Sequence, residues 1–239
     1  MKISTYNICK DGISDCTLVF ISDLHGYDNT KILNAIDKIS PNAVLIGGDI
    51  VHDNKNYKTG IEFLHLCAKK YPTFCSIGNH EMKLDFDINP MIRDSKATLL
   101  DNEFAQFYGL KIGGLTTGYE HGEKQGRNKR TPRPNVEFVE RFAKESGYKI
   151  LLSHHPEYYE RYLKDKNVDL ILSGHAHGGQ WRIFDRGVFA PGQGVFPKYT
   201  SGMYDEKLIV SRGLGNPHPI PRINNSNEII VLNFKGEEK

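Results

Sequence analysis

Residues 17–26 read TLVFISDLHG, and this stretch decides the fold. It opens with a continuous run of β-branched and aromatic residues, the pattern of a strand that is buried on both faces. The run then changes abruptly to Asp23, His25 and Gly26. The stretch therefore predicts a central strand that delivers polar side chains at its carboxyl end.

The same alternation continues through the first third of the chain. Two more buried strands are predicted at residues 43–46 and 73–77. Apolar side chains at helical spacing fill the intervals, from Ile32 to Ile39 and from Ile61 to Ala68. Asp28 or Asn29 is the expected N-cap of the first helix. This βαβαβ order predicts a sheet with parallel strands and helices outside it.

The remainder of the chain is less regular. Further strands are predicted at residues 110–115, 149–153, 168–173, 181–184, 208–211 and 228–234, with helices at 136–143 and 158–163. Residues 116–134 form either a solvated loop or a flap that meets an anionic substrate. No linker divides the chain, so one domain is expected over 1–239, with a loop-rich C-terminal portion over 181–239.

Composition excludes several classes of protein. The 239 residues include 31 basic and 29 acidic side chains, and this near balance argues against nucleic-acid binding. A mean hydropathy of −0.48 and short apolar runs exclude a membrane span. Neither a secretory signal nor a CxxC spacing is visible, so reduced thiols and a cytoplasmic location are expected.

The sequence leaves two properties open. Phe189, Val195 and Phe196 form a small apolar group that is either buried or in contact with a membrane surface. The sequence gives no indication of the oligomeric state.

Metal-binding side chains follow the predicted strands. These are Asp23, His25, Asp49, Asn79, His80, His154, His175 and His177. Ligands of open α/β sheets bind beyond the carboxyl ends of the strands, so these side chains should converge. Alternation along an extended chain would place both polar residues of a D-x-H or H-x-H triplet on one side. Mixed Asp, Asn and His donors suit manganese or iron first, with zinc as a further option.

The ordered motifs DLH, GD, GNHE, H-x-P and GHAHGGQ, between Ser22 and Trp181, resemble the calcineurin-like metallophosphoesterases. The stretches at 187–204 and 210–225 are similar to a bacterial branch of phosphohydrolases related to YkuE. The resemblance implies an α/β fold, a four-layer α-β-β-α sandwich of two mixed sheets, that holds two divalent metal ions.

The resemblance also implies a ligand set for each ion. The first ion would be held by Asp23, His25 and His177, and the second by Asn79, His154 and His175. Asp49 would bridge both ions through its two carboxylate oxygens. His154 is preferred to His155 because the family's ligand lies two residues before the proline. His155 would then support the ligands or contact substrate.

The implied reaction follows from charge. Two dications, two carboxylates and a bridging hydroxide leave a formal +1, which attracts phosphate. The hydroxide would attack a phosphomonoester or phosphodiester in line. His80 would assist the leaving group as general acid or electrostatic donor, or would only orient Asn79. Glu81 beside it is a candidate for tuning the protonation of His80.

Other candidates rest on weaker patterns. Arg212 and Arg222 could hold phosphate oxygens or brace a loop through backbone carbonyls. The chain lacks the arginine of the GDxxDR pattern of protein phosphatases, and His52 stands in that region. His52 either replaces an acidic supporting residue or lies at the surface.

The sequence therefore predicts a dinuclear metal-dependent phosphohydrolase with a small phosphorylated substrate. One alternative is a nuclease of the same superfamily, against which the weak net charge argues. The other is a non-catalytic metal-dependent scaffold, against which the complete ligand set argues.

Overall fold

Two six-stranded sheets form the centre of the computed structural model, which describes residues 1–26, 29–122, 131–216 and 220–236. The strands are β1 (Lys2–Cys9), β2 (Cys16–Ile21), β3 (Ala43–Ile46), β4 (Thr73–Cys75), β5 (Thr98–Leu99), β6 (Glu103–Phe107), β7 (Leu110–Leu115), β8 (Tyr148–Ser153), β9 (Leu170–Ser173), β10 (Arg182–Ile183), β11 (Arg186–Gly187), β12 (Phe189–Ala190), β13 (Gly194–Val195), β14 (Gly202–Tyr204), β15 (Leu208–Val210) and β16 (Glu228–Lys235). The α-helices are α1 (Asn29–Ile39), α2 (Tyr57–Lys70), α3 (Asn79–Met82), α4 (Asn89–Asp94) and α5 (Val136–Ala143), and the helix expected at 158–163 is a π-helix over Tyr159–Leu163. A short 3-10 helix covers His177–Gly179. Asp28 and residues 123–130 of the expected flap lie outside the described residues.

Both large sheets are mixed. The first has the order β1-β16-β2-β3-β4-β5, and the second has the order β14-β15-β9-β8-β7-β6. Strands β2 to β5 run parallel to one another, as do β7, β8, β9 and β15. The carboxyl ends of β2, β3 and β4 therefore share one edge, and those of β8 and β9 share another.

Alternate side chains divide the strands between three apolar layers. Val19 and Ile21 of β2 pack with helices α1 and α2, whereas Leu18 and Phe20 face the second sheet. Strand β8 splits in the same way, with Leu151 packed against α5 on the outer face. The period of two in each strand thus produces helix, sheet, sheet and helix layers, and the expected four-layer sandwich is confirmed.

The strands and helices predicted from the sequence are present in the structure, with small changes at their ends. Strands β3 and β7 have the expected bounds, and Asn135 caps α5 by accepting from the N–H of Phe138 at 2.9 Å. Strand β1 was missed because its side chains are exposed or half-buried throughout. It is stabilised by parallel pairing with β16, which a local pattern cannot show.

The structure shows whether the small apolar group in the C-terminal portion is buried. Phe189, Val195 and Phe196 are 47%, 67% and 75% exposed, so the apolar group lies at the surface, on the hairpin β12–β13 and the residue after it. Cys67 and Cys75 are core residues. Among the described residues, every helix is too short or too polar to cross a bilayer.

Replacement of Leu45 by Ala should destabilise the protein by about 2–5 kcal/mol, because this side chain is fully buried between the sheets. Urea denaturation measures the change. The control is Val195→Ala at an exposed hairpin position, which should shift the free energy of unfolding by less than about 0.5 kcal/mol. Equal effects of the two substitutions would contradict a packed core between the sheets.

Candidate metal centre

Five predicted ligands leave their strands in the left-handed region of backbone space. Their φ angles are 54° at Asp23, 48° at His25, 55° at Asp49, 63° at His175 and 47° at His177. Such angles cost about 1–3 kcal/mol each in residues other than glycine and persist only where the surroundings hold them. The expectation that alternation in an extended chain aligns these pairs is therefore wrong. Tight turns after the strands do it instead.

Glycines let these turns approach one another. A Cβ at Gly78 would lie 2.3 Å from Asp49 Oδ1, and one at Gly174 would lie 2.4 Å from Asp23 Oδ2. Both distances are far below van der Waals contact. Any larger residue at either position would push a candidate ligand away from the site.

The first expected ligand set meets in a buried cluster. The Nε2 atoms of His25 and His177 lie 3.3 Å apart, and Asp23 Oδ1 lies 3.9 Å and 3.5 Å from them. Two ring nitrogens at this distance share at most one proton. Donors about 2.0–2.2 Å from a tetrahedral ion lie about 3.3–3.6 Å from one another. The 3.3 Å and 3.5 Å spacings fall within this range and the 3.9 Å spacing lies just above it, so the three atoms are close to the arrangement that one metal ion requires.

A second cluster consists of Asp49, His154 and His175, whose ligand atoms all lie within 4.8 Å of one another. His154 Nε2 is 3.1 Å from Asp49 Oδ2. The other ring nitrogen, Nδ1, is 2.7 Å from the carbonyl oxygen of Gly47, which can only accept. Nδ1 therefore carries a proton, and Nε2 is aimed at the site, the arrangement usual for a metal-binding histidine.

Asp49 lies where the two clusters meet. Its Oδ2 atom is 3.1 Å from His154 Nε2 in the second cluster and 3.8 Å from His25 Nε2 in the first. Its Oδ1 atom accepts a hydrogen bond of 2.8 Å from the N–H of His80. One oxygen thus faces both clusters while the other holds the start of α3.

Asn79 and His80 begin α3 beside Asp49. Asn79 is buried, and His80 is half-buried. His80 Nδ1 donates to the carbonyl of His52 at 2.6 Å, which directs Nε2 toward Asp49 Oδ2 at 3.9 Å. Burial lowers the pKa of His80 to about 4. The ring is therefore neutral at pH 7, and its Nε2 atom is a hydrogen-bond acceptor.

Lys83 is a residue that the sequence analysis missed. Its Nζ atom lies 3.2 Å from His80 Nε2. The backbone N–H of Lys83 bonds to the carbonyl of His80, so one helical turn places the ammonium group beside the imidazole. The i, i+3 spacing in the sequence NHEMK could have indicated it.

Glu81 has a different role from the one expected. Its buried carboxylate accepts hydrogen bonds from the N–H groups of Asp49, Val51 and Gly78 at 2.9, 3.2 and 2.8 Å. These groups belong to the turns after β3 and β4. Glu81 therefore binds two ligand-bearing turns together, and none of these contacts is with the imidazole of His80.

His155 is fully buried behind the second cluster. Its Nε2 atom lies 2.8 Å from Thr117 Oγ1, its Nδ1 atom lies 3.4 Å from Glu157 Oε1, and its ring packs against His175. Of the two roles left open, these contacts favour support of a ligand. Thr117 belongs to the segment 116–134, whose described ends are thus tied to the site.

Of the two tail arginines, Arg222 is engaged by groups of the protein itself. Arg222 donates to the carbonyl of Arg212 at 2.7 Å and to that of Gly215, and its Nη2 atom lies 3.1 Å from His177 Nδ1. It braces the tail against a candidate ligand. Arg212 has a buried Nε atom and lies close enough to Arg182 that its charge contributes to lowering the pKa of Arg182, after burial.

In the metal-free protein, the negative charge of Asp49 is balanced by the positive charge of His154. Burial alone would lower the pKa of His154, but Asp49 and Asp23 raise it to about 10. Burial opposes ionisation of Asp49, yet the His154 imidazolium holds the pKa of that carboxyl well below its usual range. Without a metal, His154 and Asp49 therefore form a buried ion pair at pH 7.

Fold and site together define a class of protein, a two-sheet sandwich with a buried Asp/His cluster at the strand ends. The sequence profile described as calcineurin-like phosphoesterase matches residues 16–179. The chain therefore belongs to the calcineurin-like phosphoesterase family.

One curated protein and two solved structures are similar to this chain. The uncharacterized metallophosphoesterase Cj0846 of Campylobacter jejuni is 30% identical over 237 residues, covering 94% of this chain and 60% of that protein. This chain thus spans about three fifths of that relative's length. The crystal structure of the phosphopantetheinyl hydrolase of Mycobacterium tuberculosis has a TM-score of 0.51 at 13% identity, covering 85% of this chain and 91% of the other. Thermus thermophilus TT1561 has a TM-score of 0.49 at 12% identity, covering 67% and 82%.

Metal binding at pH 7 should release about one proton from His154, because its pKa of about 10 keeps the metal-free side chain protonated. The His154–Asp49 pair stabilises the metal-free fold fully below the unfolded histidine pKa of about 6.5 and is lost as pH rises toward 10. Apparent metal affinity should accordingly increase with pH.

Titration calorimetry with Mn²⁺ in buffers of different ionisation enthalpy counts the released protons. His154→Gln should release about one proton fewer than the unaltered protein. Equal proton release from both proteins would show that His154 is not the group displaced.

Proposed function

We propose that this protein is a dinuclear metal-dependent phosphohydrolase that cleaves a phosphomonoester or phosphodiester bond of a small substrate. The observation that carries the proposal is the position of Asp49 Oδ2, which faces His25 Nε2 at 3.8 Å and His154 Nε2 at 3.1 Å. This position supports a bridging role through one oxygen rather than the two expected. The second oxygen is engaged by the N–H of His80.

The donor chemistry supports two ions. Asp23, His25 and His177 would hold the first ion, and Asn79, His154 and His175 would hold the second. Carboxylate, amide and imidazole donors favour manganese or iron, with zinc as a further option. Bound there, the ions would lower the pKa of water to about 7 and neutralise phosphate charge.

The protein's own groups would orient the reactants. Glu81 and the N–H of His80 hold Asp49 in place, and Gly47 orients His154. The carbonyl of His52 fixes the ring of His80 at the rim of the site. In this tautomer Nε2 carries no proton of its own, so a leaving-group role for His80 would depend on the proton that Lys83 Nζ shares with it at 3.2 Å.

The composition supports the proposed substrate class and the proposed location. The formal net charge of +2 lacks the excess of basic residues that a nucleic-acid backbone requires, which supports a small phosphorylated substrate. The four cysteines, Cys9, Cys16, Cys67 and Cys75, are free thiols. Free thiols are consistent with the proposed cytoplasmic location.

A chelator should abolish hydrolysis of 4-nitrophenyl phosphate and of bis(4-nitrophenyl) phosphate, and Mn²⁺ should restore it. Full activity in chelator would contradict the metal mechanism. Metal-dependent binding without hydrolysis would indicate a scaffold, and hydrolysis restricted to polynucleotides would indicate a nuclease.

Asp49→Ala should lower metal content from two ions per chain toward none, because one carboxylate serves both clusters. Elemental analysis of the purified protein measures this. The matched control is Asp11→Ala at an exposed turn, which should keep two ions. Two ions retained in Asp49→Ala would show that Asp49 does not join the sites.

His80→Ala should reduce turnover by about 10²–10⁴-fold while both ions remain bound, since His80 faces Asp49 without belonging to a ligand set. Steady-state rates on substrates of differing leaving-group pKa measure this. His65→Ala, on the exposed face of α2, is the control. An unchanged rate on a poor leaving group would reduce His80 to an orienting residue.

A further inference from the structure

Lys83 is a half-buried cation at the edge of the candidate metal centre. Lysines are rarely buried unless paired with a carboxylate. Within the described residues, Lys83 Nζ forms no direct ion pair, and its hydrogen-bonding neighbour is His80 Nε2 at 3.2 Å. The carboxylates of Asp49 and Glu81 attract the ammonium group without contacting it, so its three donors are not taken up by an anion.

The position of that charge relates it to the second cluster. Lys83 and Asp49 attract each other, and the Lys83 charge also contributes to lowering the pKa of His175. His80, the neighbour of Lys83, is 3.9 Å from Asp49 Oδ2. The ammonium group thus lies on the His80 side of Asp49 and His175, at the half-buried rim of the site.

His80 cannot supply a positive charge there as the site is built. Its Nδ1 atom donates to the His52 carbonyl at 2.6 Å, and its Nε2 atom is occupied by Lys83. Lys83 is therefore the cation that this rim offers to an anionic group. An ammonium group carries three donors, so it can contact His80 and a phosphate oxygen together.

We propose that Lys83 binds a phosphate oxygen of the substrate and makes the enzyme prefer phosphomonoesters to phosphodiesters. The inference rests on the proposed phosphohydrolase function. A monoester carries close to two negative charges at pH 7.5, because its second pKa is about 6, whereas a diester carries one. A fixed cation attracts the dianion about twice as strongly as the monoanion.

The test compares Lys83→Met, which keeps the length of the side chain, with Lys83→Arg, which keeps the charge. In the Mn²⁺-loaded protein, kcat/KM for 4-nitrophenyl phosphate should fall about 10²-fold in Lys83→Met, the size typical for one preorganised donor. The value for bis(4-nitrophenyl) phosphate should change several-fold less. Lys83→Arg should retain most of the monoester preference, and Lys58→Met on the exposed surface of α2 should retain all of it.

A binding measurement keeps the test independent of turnover. Calorimetry should show that inorganic phosphate binds Mn²⁺-loaded Lys83→Met about 10-fold more weakly than the unaltered protein, with two ions retained in both. Equal losses for monoester and diester, unchanged phosphate affinity, or loss of metal would each overturn the proposal. Chelator-resistant activity of the unaltered protein would instead overturn the proposed function.

Discussion

The carboxylate of Asp49 is the contact on which the rest of the site depends. It is buried, it faces histidines from both sheets, and its two oxygens have separate tasks. An isolated buried carboxylate would be strongly unfavourable, so the surrounding groups must compensate its charge. His154 does so in the metal-free protein, through an ion pair at 3.1 Å. A metal ion would replace the proton that makes this pair.

Convergence of the ligands is achieved by strained turns rather than by regular strands. Asp23, His25, Asp49, His175 and His177 all have positive φ angles. Each such residue is unfavourable alone, and the close glycine contacts at Gly78 and Gly174 show how tightly the turns are held. The two packed sheets supply the rigidity, because their fully buried strands fix where each turn begins.

A shell of polar side chains supports these turns. Glu81 joins two of them through three backbone N–H groups, and Ser22 donates to Asp23 Oδ2 at 2.7 Å. His155 packs behind His175, and Arg222 ties the tail to His177. Support of this kind sets ligand orientation, so it controls how well the site is preformed. The same shell brings Lys83 to the rim, where its charge remains available.

The amino-acid sequence by itself determined the principal strands and helices and the identity of the ligand-bearing turns, because hydrophobic periodicity and strand-end motifs are local signals. The four layers followed from the family resemblance of those motifs. It missed α4, β5 and β6 in the less regular middle of the chain, and it missed β1, whose stability comes from pairing with β16, 226 residues away along the chain. Only the tertiary structure decided that Asp49 presents one oxygen to both clusters, that Glu81 binds backbone, and that Arg222 braces the tail. These depend on which groups meet across two sheets, and side-chain partners at long sequence separation leave no local pattern.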